Sequence, residues 1–483
     1  MIPFGPWHPD KAGLNASVCL SAVNCIPGVN GFRPLRSPAA SSSALAGECI
    51  GAAVVFDDVG AVATFAGDAT DLYRLDASSV WAPVSRTSGG AYNTGSGERW
   101  QFEFSGGLVL AVTISEEPQK YLLGTSTNFE PLGGTPPKAR YIATVGDFIV
   151  LAGLFQDERT VRWSGLANPE HWTPGTLSSD YQTFQNGGPV RGVVGGEVGY
   201  VFQAESVTRM TFVPGSDVIF QFDQVEGGRG LAAPYSLVKL GNDAFYLASD
   251  GFYKFSLGGG SSTPLGVGKW SRWLVGDLKS GTEGTVLGGV DPVGRYIVWA
   301  YNSNSNPNSN PNRMIIYDWA LDEATTAELS VTTLAQILTK GVALEDLDAY
   351  GNLDTLPYSL DSPLWRGGSS VLGMFQDDAK LAFMSGLNLS ATFVTGDGGM
   401  PGRTLIKGLR PHIDTRSITA AIAAREAEGD NVSFGPPEPM ADTGVIPAWA
   451  SGFVARARLV TEAGAVWEKY VGHDTVKGGA GNR

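Results

Sequence analysis

The chain has 483 residues, including 64 glycines and 28 prolines, and 43% of it is hydrophobic while only 17% is charged. This composition excludes a disordered chain, which needs low hydrophobicity and high charge density, and it disfavours long helices, because glycine and proline are poor helix formers. The 34 basic and 48 acidic side chains give a net charge of −14, which disfavours ordinary DNA or RNA binding through a basic surface. We therefore expect an all-β protein with many short strands and tight turns.

Residues 1–45 are rich in proline, glycine and serine and predict an extended N-terminal docking arm, because repeated proline fixes φ and removes backbone donors. The cysteines Cys19, Cys25 and Cys49 are odd in number and form no CxxC pair, so we expect no disulfide framework, no metal and no cofactor. The opening residues lack the pattern of a secretory signal, and no apolar run approaches about 18 residues. We therefore expect a soluble chain with no membrane segment.

Residues 46–331 predict a β-propeller of about six blades. Apolar runs rich in β-branched and aromatic residues recur at intervals of about 40 to 50 residues, which is the length of a four-stranded blade. Each run is followed within about ten residues by a second strand, so one hairpin type is used six times. The six runs are AVATFAG, GLVLAVTI, DFIVLAG, VGYVFQA, AFYLAS and RYIVWAY. Two or three β-sandwiches with coincidental spacing remain an alternative.

Three segments inside or after the predicted propeller have a different character. The asparagine tract Asn302 to Asn312 is predicted to be a hairpin loop, and a solvated spacer is favoured over a recognition loop. Residues 332–385 are predicted to be a partly helical linker or insertion, because residues 332–350 form the one plausible helical stretch. Residues 386–483 return to strand patterns and predict a C-terminal β-rich domain.

The C-terminal domain ends in a predicted hairpin. Arg456 and Arg458 share one face of its first strand, because side chains alternate with a period of two. Trp467, on the return strand, lies within reach of the first strand. Its replacement by alanine is predicted to destabilise the fold if the indole is buried, and an interface anchor is the alternative. Trp163 and Trp172, in VRWSGLANPEHW, complete the candidate structural or interface residues.

Patterns that carry catalysis were sought, and none predicts an enzyme. The acidic pairs Asp57–Asp58, Glu116–Glu117 and Asp377–Asp378 consist of neighbours, which point to opposite faces of a strand and form poor acid–base dyads. His171 and His412 have no second histidine at metal-ligand spacing. The segment ASDGFYKF predicts a hairpin turn in which Asp-Gly supplies positive φ. We expect no catalytic, cofactor-binding or metal-binding residues.

Three separated segments, in order along nearly the whole chain, carry a family resemblance. The first is FGPWHPDKAGLNASVCLSAVNCIPGVNGFRPLRSP, and the last is GFVARARLVTEAGAVWEKYVGHDTVKGGAGNR. The central part joins VRWSGLANPEHW to YVFQAESVTRMTFVPG and FDQVEGGRGLAAPYSLVKLGNDAFYLASDGFYKF. Together they resemble the tail nozzle proteins of short-tailed bacteriophages (podoviruses), a family also described as tail tubular protein B or packaged-DNA stabilisation protein.

The resemblance implies a structural virion protein located in the phage tail and assembled in the host cytoplasm. Members of that family form a homohexameric ring, built largely of β-propeller domains, below the portal-proximal tail adaptor. Tail fibres or spikes attach nearby. The resemblance further implies that packaged DNA is retained and then passes through the ring's channel without sequence-specific binding. The acidic balance of the chain suits such a channel, because each phosphate contact would add affinity for the moving DNA.

Two other functions stay open from the residues alone. A receptor- or glycan-binding propeller would use aromatic clusters, of which Trp270 and Trp273 are an example. The third hypothesis is a propeller glycoside hydrolase, and the ASDGFY turn is its one supporting feature.

Overall fold

The computed structural model describes residues 2–3, 5–11, 13–14, 17–56, 62–216, 218–338 and 370–478. Within these ranges the chain forms 38 β-strands, and its one α-helix, α1, spans the seven residues Ser271–Asp277. Two short 3-10 helices lie at Pro234–Ser236 and Glu283–Thr285. The predicted all-β class is confirmed.

Blades 1–3 are four-stranded antiparallel sheets that follow one another along the chain. Blade 1 contains β6 (Gly51–Phe56), β7 (Val62–Gly67), β8 (Leu72–Leu75) and β9 (Trp81–Pro83). Blade 2 contains β10 (Gln101–Ser105), β11 (Leu108–Val112), β12 (Gln119–Leu122) and β13 (Glu130–Pro131). Blade 3 contains β14 (Ala139–Val145), β15 (Phe148–Leu154), β16 (Asp157–Trp163) and β17 (Asp180–Thr183). The middle two strands of each sheet are a hairpin that was predicted from the repeat.

Blades 4–6 continue this pattern. Blade 4 contains β18 (Val190–Val194), β19 (Val198–Gln203), β20 (Ser206–Phe212) and β21 (Phe220–Gly227). Blade 5 contains β22 (Val238–Leu240), β23 (Asp243–Ala248), β24 (Gly251–Ser256) and β25 (Ser261–Pro264). Blade 6 contains β26 (Leu287–Asp291), β27 (Tyr296–Tyr301), β28 (Arg313–Asp318) and β29 (Glu323–Ala327). Every residue of β27 is buried, as expected for a strand covered on both faces. All six predicted hairpins are therefore present, and the prediction of a propeller-like core with about six blades is confirmed.

One further four-stranded sheet, blade 7, completes the ring. It consists of β30 (Thr333–Leu338), β31 (Ser370–Phe375), β32 (Lys380–Asn388) and, from the N-terminal arm, β5 (Arg36–Ala44). The first strand of blade 7, β30, contacts the first strands of blades 6 and 1. The ring is thus closed by strands from opposite parts of the sequence.

Blade 7 corrects the prediction of a partly helical linker at 332–385. Thr333–Leu338 is a strand in which burial alternates between one residue and the next, with Ala335 and Ile337 buried and Gln336 exposed. Period-two burial is the signature of a strand with one covered face, and pairing with β31 overrides the helix propensity of alanine, leucine and glutamine. The rest of the predicted helical stretch, to residue 350, lies outside the described residues.

The C-terminal domain is β-rich, as expected, and its sheet is continuous with blade 6. Strand β29 pairs with β2 of the arm, and β2 pairs with the C-terminal strand β33. The strands involved are β1 (Ile2–Pro3), β2 (Cys19–Val23), β3 (Cys25–Gly28), β4 (Gly31–Pro34), β33 (Thr392–Thr395), β34 (Gly398–Ile413), β35 (Ile418–Arg425), β36 (Glu438–Pro439), β37 (Ile446–Thr461) and β38 (Tyr470–Gly478). The arm therefore joins the propeller to the C-terminal domain by backbone hydrogen bonds.

A single hydrophobic core spans the same junction. It combines side chains of the arm, of blades 5 and 6 and of the C-terminal sheet, all of them buried. Its largest members include Trp7, Phe32, Trp270, Trp299, Phe393, Trp467 and Tyr470. Burial of such aromatic side chains is the main source of stability at a domain junction, so these parts pack as one structural unit.

The arm is extended, as predicted, but its described residues pack on their own chain. The Trp7 ring meets the edge of Trp273 with a centroid distance of 5.0 Å. The Asp10 carboxylate accepts hydrogen bonds from the backbone N–H groups of Arg272 and Trp273, at 2.8 and 2.7 Å. These two N–H groups lie in the first turn of α1 and would otherwise have no helical partner. The arm thus caps the helix of its own propeller.

The asparagine tract is the loop between β27 and β28, as predicted, but it is not a solvated spacer. Asn302, Ser303 and Asn306 are buried. The amide group of Asn302 donates to Thr285 Oγ1 at 3.0 Å, and that of Asn306 donates to the carbonyl of Asn310 at 2.7 Å. The Asn302 amide also donates to the Ser309 carbonyl at 2.7 Å, so both buried amides have partners in the loop or beside it, which explains why this polar sequence adopts an ordered conformation.

Candidate functional site

The first strands of the seven blades surround an axial cavity with two chambers. The inner chamber has a volume of about 590 Å³ and is lined by residues of all seven first strands. The outer chamber has a volume of about 730 Å³. Tyr141, Pro234 and Tyr235 line both chambers, so they form the constriction between them. The two tyrosine rings have a centroid distance of 6.4 Å.

The inner chamber contains charged side chains of both signs. Arg99 donates hydrogen bonds to Thr333 Oγ1 at 3.1 Å and to the Thr332 carbonyl at 2.9 Å. Burial lowers the pKa of Arg99, although it does not neutralise a guanidinium at ordinary pH. Lys239 donates to a backbone carbonyl at 2.7 Å. Burial raises the pKa of Glu103, so this carboxyl group loses its proton less readily than usual.

Two further arginines line the outer chamber. Arg140 forms an ion pair with Glu158 at 3.4 Å, and both side chains are partly exposed. Arg191 donates to the carbonyl of Ala232 at 2.7 Å. Arg99 lines the inner chamber, whereas Arg140 and Arg191 line the outer one. Tyr235 of the constriction links the two chambers, because the Arg99 guanidinium lies 5.6 Å from its ring centroid and its hydroxyl is hydrogen-bonded to Arg140. This arrangement can hold a negatively charged group.

A second surface lies on the C-terminal sheet and is called here the Trp449 face. Trp449 of β37 is 71% exposed, and Phe453, four residues further on the same face of the strand, is 41% exposed. Lys407 of the adjacent β34 lies 5.9 Å from the Trp449 ring centroid. Arg403 of β34 is exposed as well and forms an ion pair with Glu426 at 2.8 Å. Aromatic side chains left in water beside cations are typical of an interaction surface.

Trp163 and Trp172 lie in blade 3 and are buried, with 4% and 1% exposure. The Trp163 indole donates to the carbonyl of Ser178 at 2.9 Å, and that of Trp172 donates to the carbonyl of Pro169 at 2.8 Å. In the single chain both side chains therefore act as packing residues of the blade.

The three C-terminal candidates also have partners inside their own chain. Arg456 forms two hydrogen bonds with the carboxylate of Asp397, at 2.9 and 2.8 Å. The Arg458 guanidinium lies 4.7 Å from the ring centroid of Phe434. Trp467 is 2% exposed and meets the edge of Phe393 at 6.2 Å, in the connection before β38 rather than on the return strand itself. In the single chain Trp467 is therefore a packing residue.

The acidic pairs and histidines occupy the surroundings expected of structural residues. Glu116 forms an ion pair with Arg86 at 3.0 Å. His171 lies 2.7 Å from Thr176 Oγ1, and His412 lies 3.0 Å from an oxygen of Asp474. Asp57–Asp58 lies outside the described residues. Within the described ranges, no three histidine, cysteine or carboxylate side chains are close enough to hold a metal ion.

No described helix has the length and the apolar character that crossing a membrane requires.

Sequence reasoning did not identify the arginines of the axial cavity. They carry a signal, because each lies at or just before the first strand of a blade and they recur roughly 40 to 50 residues apart, as the blades do. A search for charged residues at equivalent positions of the repeat would have found them.

Comparisons with known proteins add the following findings. No family model and no curated protein matches this chain. Among solved structures, the computationally designed Ika8 protein is 10% identical, with a TM-score of 0.37, over 72% of this chain and 98% of its own. A chain of the mitotic checkpoint complex is also 10% identical, with a TM-score of 0.39, over 74% of this chain and 96% of its own. Similarity at this level carries no argument about function.

Proposed function

We propose that the chain is a non-catalytic structural protein of a short phage tail, forming with other copies a nozzle ring that retains DNA and conducts it during ejection. The proposal rests on the sequence resemblance to tail nozzle proteins. The structural observation that supports it is the Trp449 face, because a structural ring subunit needs a surface for a neighbouring copy. Such a protein would be located in the virion, next to the tail adaptor and to the fibres or spikes.

The distribution of charge favours a second copy as the occupant of the Trp449 face. Residues 386–483 contain ten basic and ten acidic side chains, so the whole net charge of −14 lies in residues 1–385. Lys407, beside Trp449, and Arg403, which also pairs with Glu426 at 2.8 Å, lie on β34 within the Trp449 face. A cationic and aromatic face on one copy complements the acidic propeller of the next. Contacts between two different surfaces of the same chain can close into a ring.

The route of DNA in this proposal lies between subunits and not through one propeller. The axial cavity of the propeller is divided by Tyr141 and Tyr235 into chambers of about 590 and 730 Å³. Neither chamber has room for a DNA duplex. A conducting channel would therefore form around the symmetry axis of the ring, bordered by the outer surfaces of the acidic propellers.

Self-association of the purified chain tests the ring surface. We expect native mass spectrometry and sedimentation to show concentration-dependent oligomers whose dissociation constant rises at least about tenfold in Trp449→Ala, as for a central interface aromatic. Lys407→Glu should act in the same direction. Phe155→Ala is the matched control, because Phe155 is an aromatic residue with 56% exposure on blade 3. Equal association of all four proteins would contradict the assigned surface.

The place of the chain in a virion needs a separate test. Mass spectrometry of purified phage particles should detect the chain, and gold-labelled antibodies against it should mark the distal end of the tail. Particles with labelled heads, or without the chain, would refute the nozzle assignment even where the isolated chain forms rings.

A ligand-binding propeller is the second candidate, and the axial cavity is the observation that favours it. The aromatic pair first considered for glycan binding does not support it, because Trp270 is fully buried and Trp273 packs against Trp7. Asp250, in the ASDGFY turn between β23 and β24, accepts a hydrogen bond from the Tyr253 hydroxyl at 2.8 Å. Binding on a glycan array, with no labelling of tails, would favour this candidate over the nozzle ring.

A further inference from the structure

We propose that the constriction of the axial cavity is a binding site for a small oxyanion, a phosphate or carboxylate group, contacted mainly by Arg99, Arg140 and Tyr235. This site does not depend on assembly of a ring.

Arg99 is the centre of the site because its partners are neutral. Its guanidinium donates to a threonine hydroxyl and to a backbone carbonyl, those of Thr333 and Thr332. No ion pair within the described part of the chain includes Arg99. A guanidinium has five N–H donors in a planar fork, and these two bonds use two of them. The charge of Glu48 also acts on Arg99, but the two form no ion pair in the described part of the chain, so the guanidinium still gains from an anion that enters the cavity.

Arg140 adds a second positive charge, and its ion pair within the chain is weak. Its ion pair with Glu158 is long, at 3.4 Å, and 53% of the Glu158 side chain is exposed. Exposed pairs of this kind contribute little, so a buried ligand can compete with Glu158 for the guanidinium. Arg191, bonded to the carbonyl of Ala232, adds a third positive charge at the outer chamber.

The carboxyl groups near the cavity, Glu48 among them, leave Arg99 without an ion pair in the described part of the chain. Glu98 accepts hydrogen bonds from Ser115 Oγ at 2.6 Å and from Thr113 Oγ1 at 3.1 Å. Glu103 lies in the inner chamber near Thr144, whereas Glu158 and Glu283 lie on the wall of the outer chamber. None of them forms an ion pair with Arg99 in the described part of the chain.

The shape of the cavity limits the size of the ligand and suggests its chemistry. A chamber of about 590 Å³ suits a small molecule and not a folded domain. Planar arginine forks bind phosphate and carboxylate oxygens in pairs. The Arg99 guanidinium lies 5.6 Å from the Tyr235 ring centroid, and the Tyr235 hydroxyl is hydrogen-bonded to Arg140, so this tyrosine links the two arginines of the site.

Binding of inorganic phosphate to the full chain tests the proposal, with citrate as the carboxylate probe. Thermal unfolding is measured in each anion against sodium chloride of equal ionic strength, because a ligand that binds only the folded state raises the midpoint. We expect a concentration-dependent rise for phosphate or citrate, and the larger of the two rises identifies the preferred group. No rise with either anion would overturn the proposal.

Variants assign the effect to the constriction. Arg99→Gln should raise the dissociation constant for the anion, measured by calorimetry, by about tenfold or more. This is the change expected when a charge-assisted hydrogen bond is lost. Arg140→Gln should weaken it by a smaller factor. Arg416→Gln, an exposed arginine with a 3.4 Å surface pair, is the matched control. Unchanged binding in Arg99→Gln would refute the site.

Loss of the Thr332 and Thr333 bonds in Arg99→Gln could prevent folding, so Arg99→Lys is the second variant. It keeps the charge and loses the fork, and it should bind with intermediate affinity. Phosphorus NMR of inorganic phosphate then supplies a second readout. We expect the wild-type chain and Arg99→Lys to broaden the phosphate signal. The double variant Arg140→Gln with Arg191→Gln should not broaden it. Broadening that is equal for all proteins would place the anion elsewhere and overturn the proposal.

Discussion

Replacement of Asp397 by asparagine is expected to destabilise the C-terminal sheet by about 3–5 kcal/mol, the cost of breaking a buried ion pair by removing one partner. The Asp397 carboxylate pairs with Arg456 and also with Arg425, and the side chains of Asp397 and Arg425 are 6% and 5% exposed. Asp397 precedes β34, Arg425 ends β35 and Arg456 lies in β37. One carboxylate therefore holds together three segments of the sheet.

The magnitude follows from what the substitution leaves behind. Arg425 also donates to the carbonyls of Glu428 and Asp430, at 2.7 and 3.1 Å, so it is held inside the sheet and cannot swing into water. An asparagine at position 397 keeps one oxygen acceptor and removes the counter-charge of two guanidinium groups. Arg456, at 20% exposure, recovers part of its hydration, which places the expected cost near the lower end, about 3 kcal/mol.

The effect should depend on pH in a defined direction. Burial alone raises the pKa of Asp397, but the hydrogen bonds from Arg456 and Arg425 outweigh burial, and the net pKa is lowered. The pKa of an aspartate in the unfolded chain is about 3.9. A carboxyl group whose pKa is lower in the folded state stabilises the fold at pH values above the unfolded pKa. This stabilisation is lost as the pH falls through the folded pKa. The difference in free energy of unfolding between wild type and Asp397→Asn should therefore be largest at neutral pH and become smaller below about pH 4.

The assay is urea unfolding followed by circular dichroism, with hydrogen exchange of β34, β35 and β37 as the local readout. Asp442→Asn is the matched control, because Asp442 is a fully exposed residue of the same domain with a 3.4 Å pair to Arg416. We expect no measurable change in its unfolding. Hydrogen-exchange rates in Asp397→Asn that equal those of wild type would refute the reasoning. A loss of unfolding free energy that stays constant down to acidic pH would refute it as well.

Three further predictions concern packing. Trp467→Ala should lower the free energy of unfolding by about 3–5 kcal/mol, measured in urea, because the indole is buried against Phe393; a midpoint equal to that of wild type would contradict this. Asn306→Ala should cost about 1–3 kcal/mol in thermal unfolding, because it leaves buried acceptors in the loop without their donor, whereas Asn308→Ala, with an exposed side chain, serves as control. Deletion of residues 1–35 should speed hydrogen exchange in β33 and β29, which lose the strand between them, and unchanged protection there would contradict the role of the arm.

The repeat of the propeller was predictable because its hairpins are locally encoded. The second strand of each blade is central in its sheet, and its residues are mostly apolar on both faces, as in the fully buried strand Phe148–Leu154. Outer strands lack that signal. Ser261–Pro264, the fourth strand of blade 5, has three exposed residues out of four and reads as a loop in the sequence.

Blade 7 was not predictable from local sequence. Its outer strand Arg36–Ala44 has the sequence RSPAASSSA, which is typical of an unstructured linker. This strand pairs with Lys380–Asn388, more than three hundred residues away in the chain, so the partner that gives it a structure cannot be read from its neighbours. Non-local pairing of this kind overrides both composition and helix propensity.

The candidate residues divide in the same way. The position of Trp467 after a hairpin turn left two roles open, packing inside the chain or anchoring an interface, and the structure buries its indole. The bond of Arg456 to Asp397 and the meeting of Arg99, Arg140 and Tyr235 at the constriction depend on the order of strands in space. Contacts between residues that are distant in sequence need the topology before they can be inferred.

The arm changes where an interface with another molecule should be sought. A free Pro-rich arm would be the natural docking element of a tail subunit, because its restricted backbone loses little entropy on binding. In this chain Cys19–Val23 instead joins blade 6 to the C-terminal sheet, and Arg36–Ala44 closes blade 7. Releasing either strand to bind a partner would break backbone hydrogen bonds on both of its sides or open the propeller. Surfaces that remain accessible after this packing, above all the Trp449 face, are therefore the better candidates for assembly.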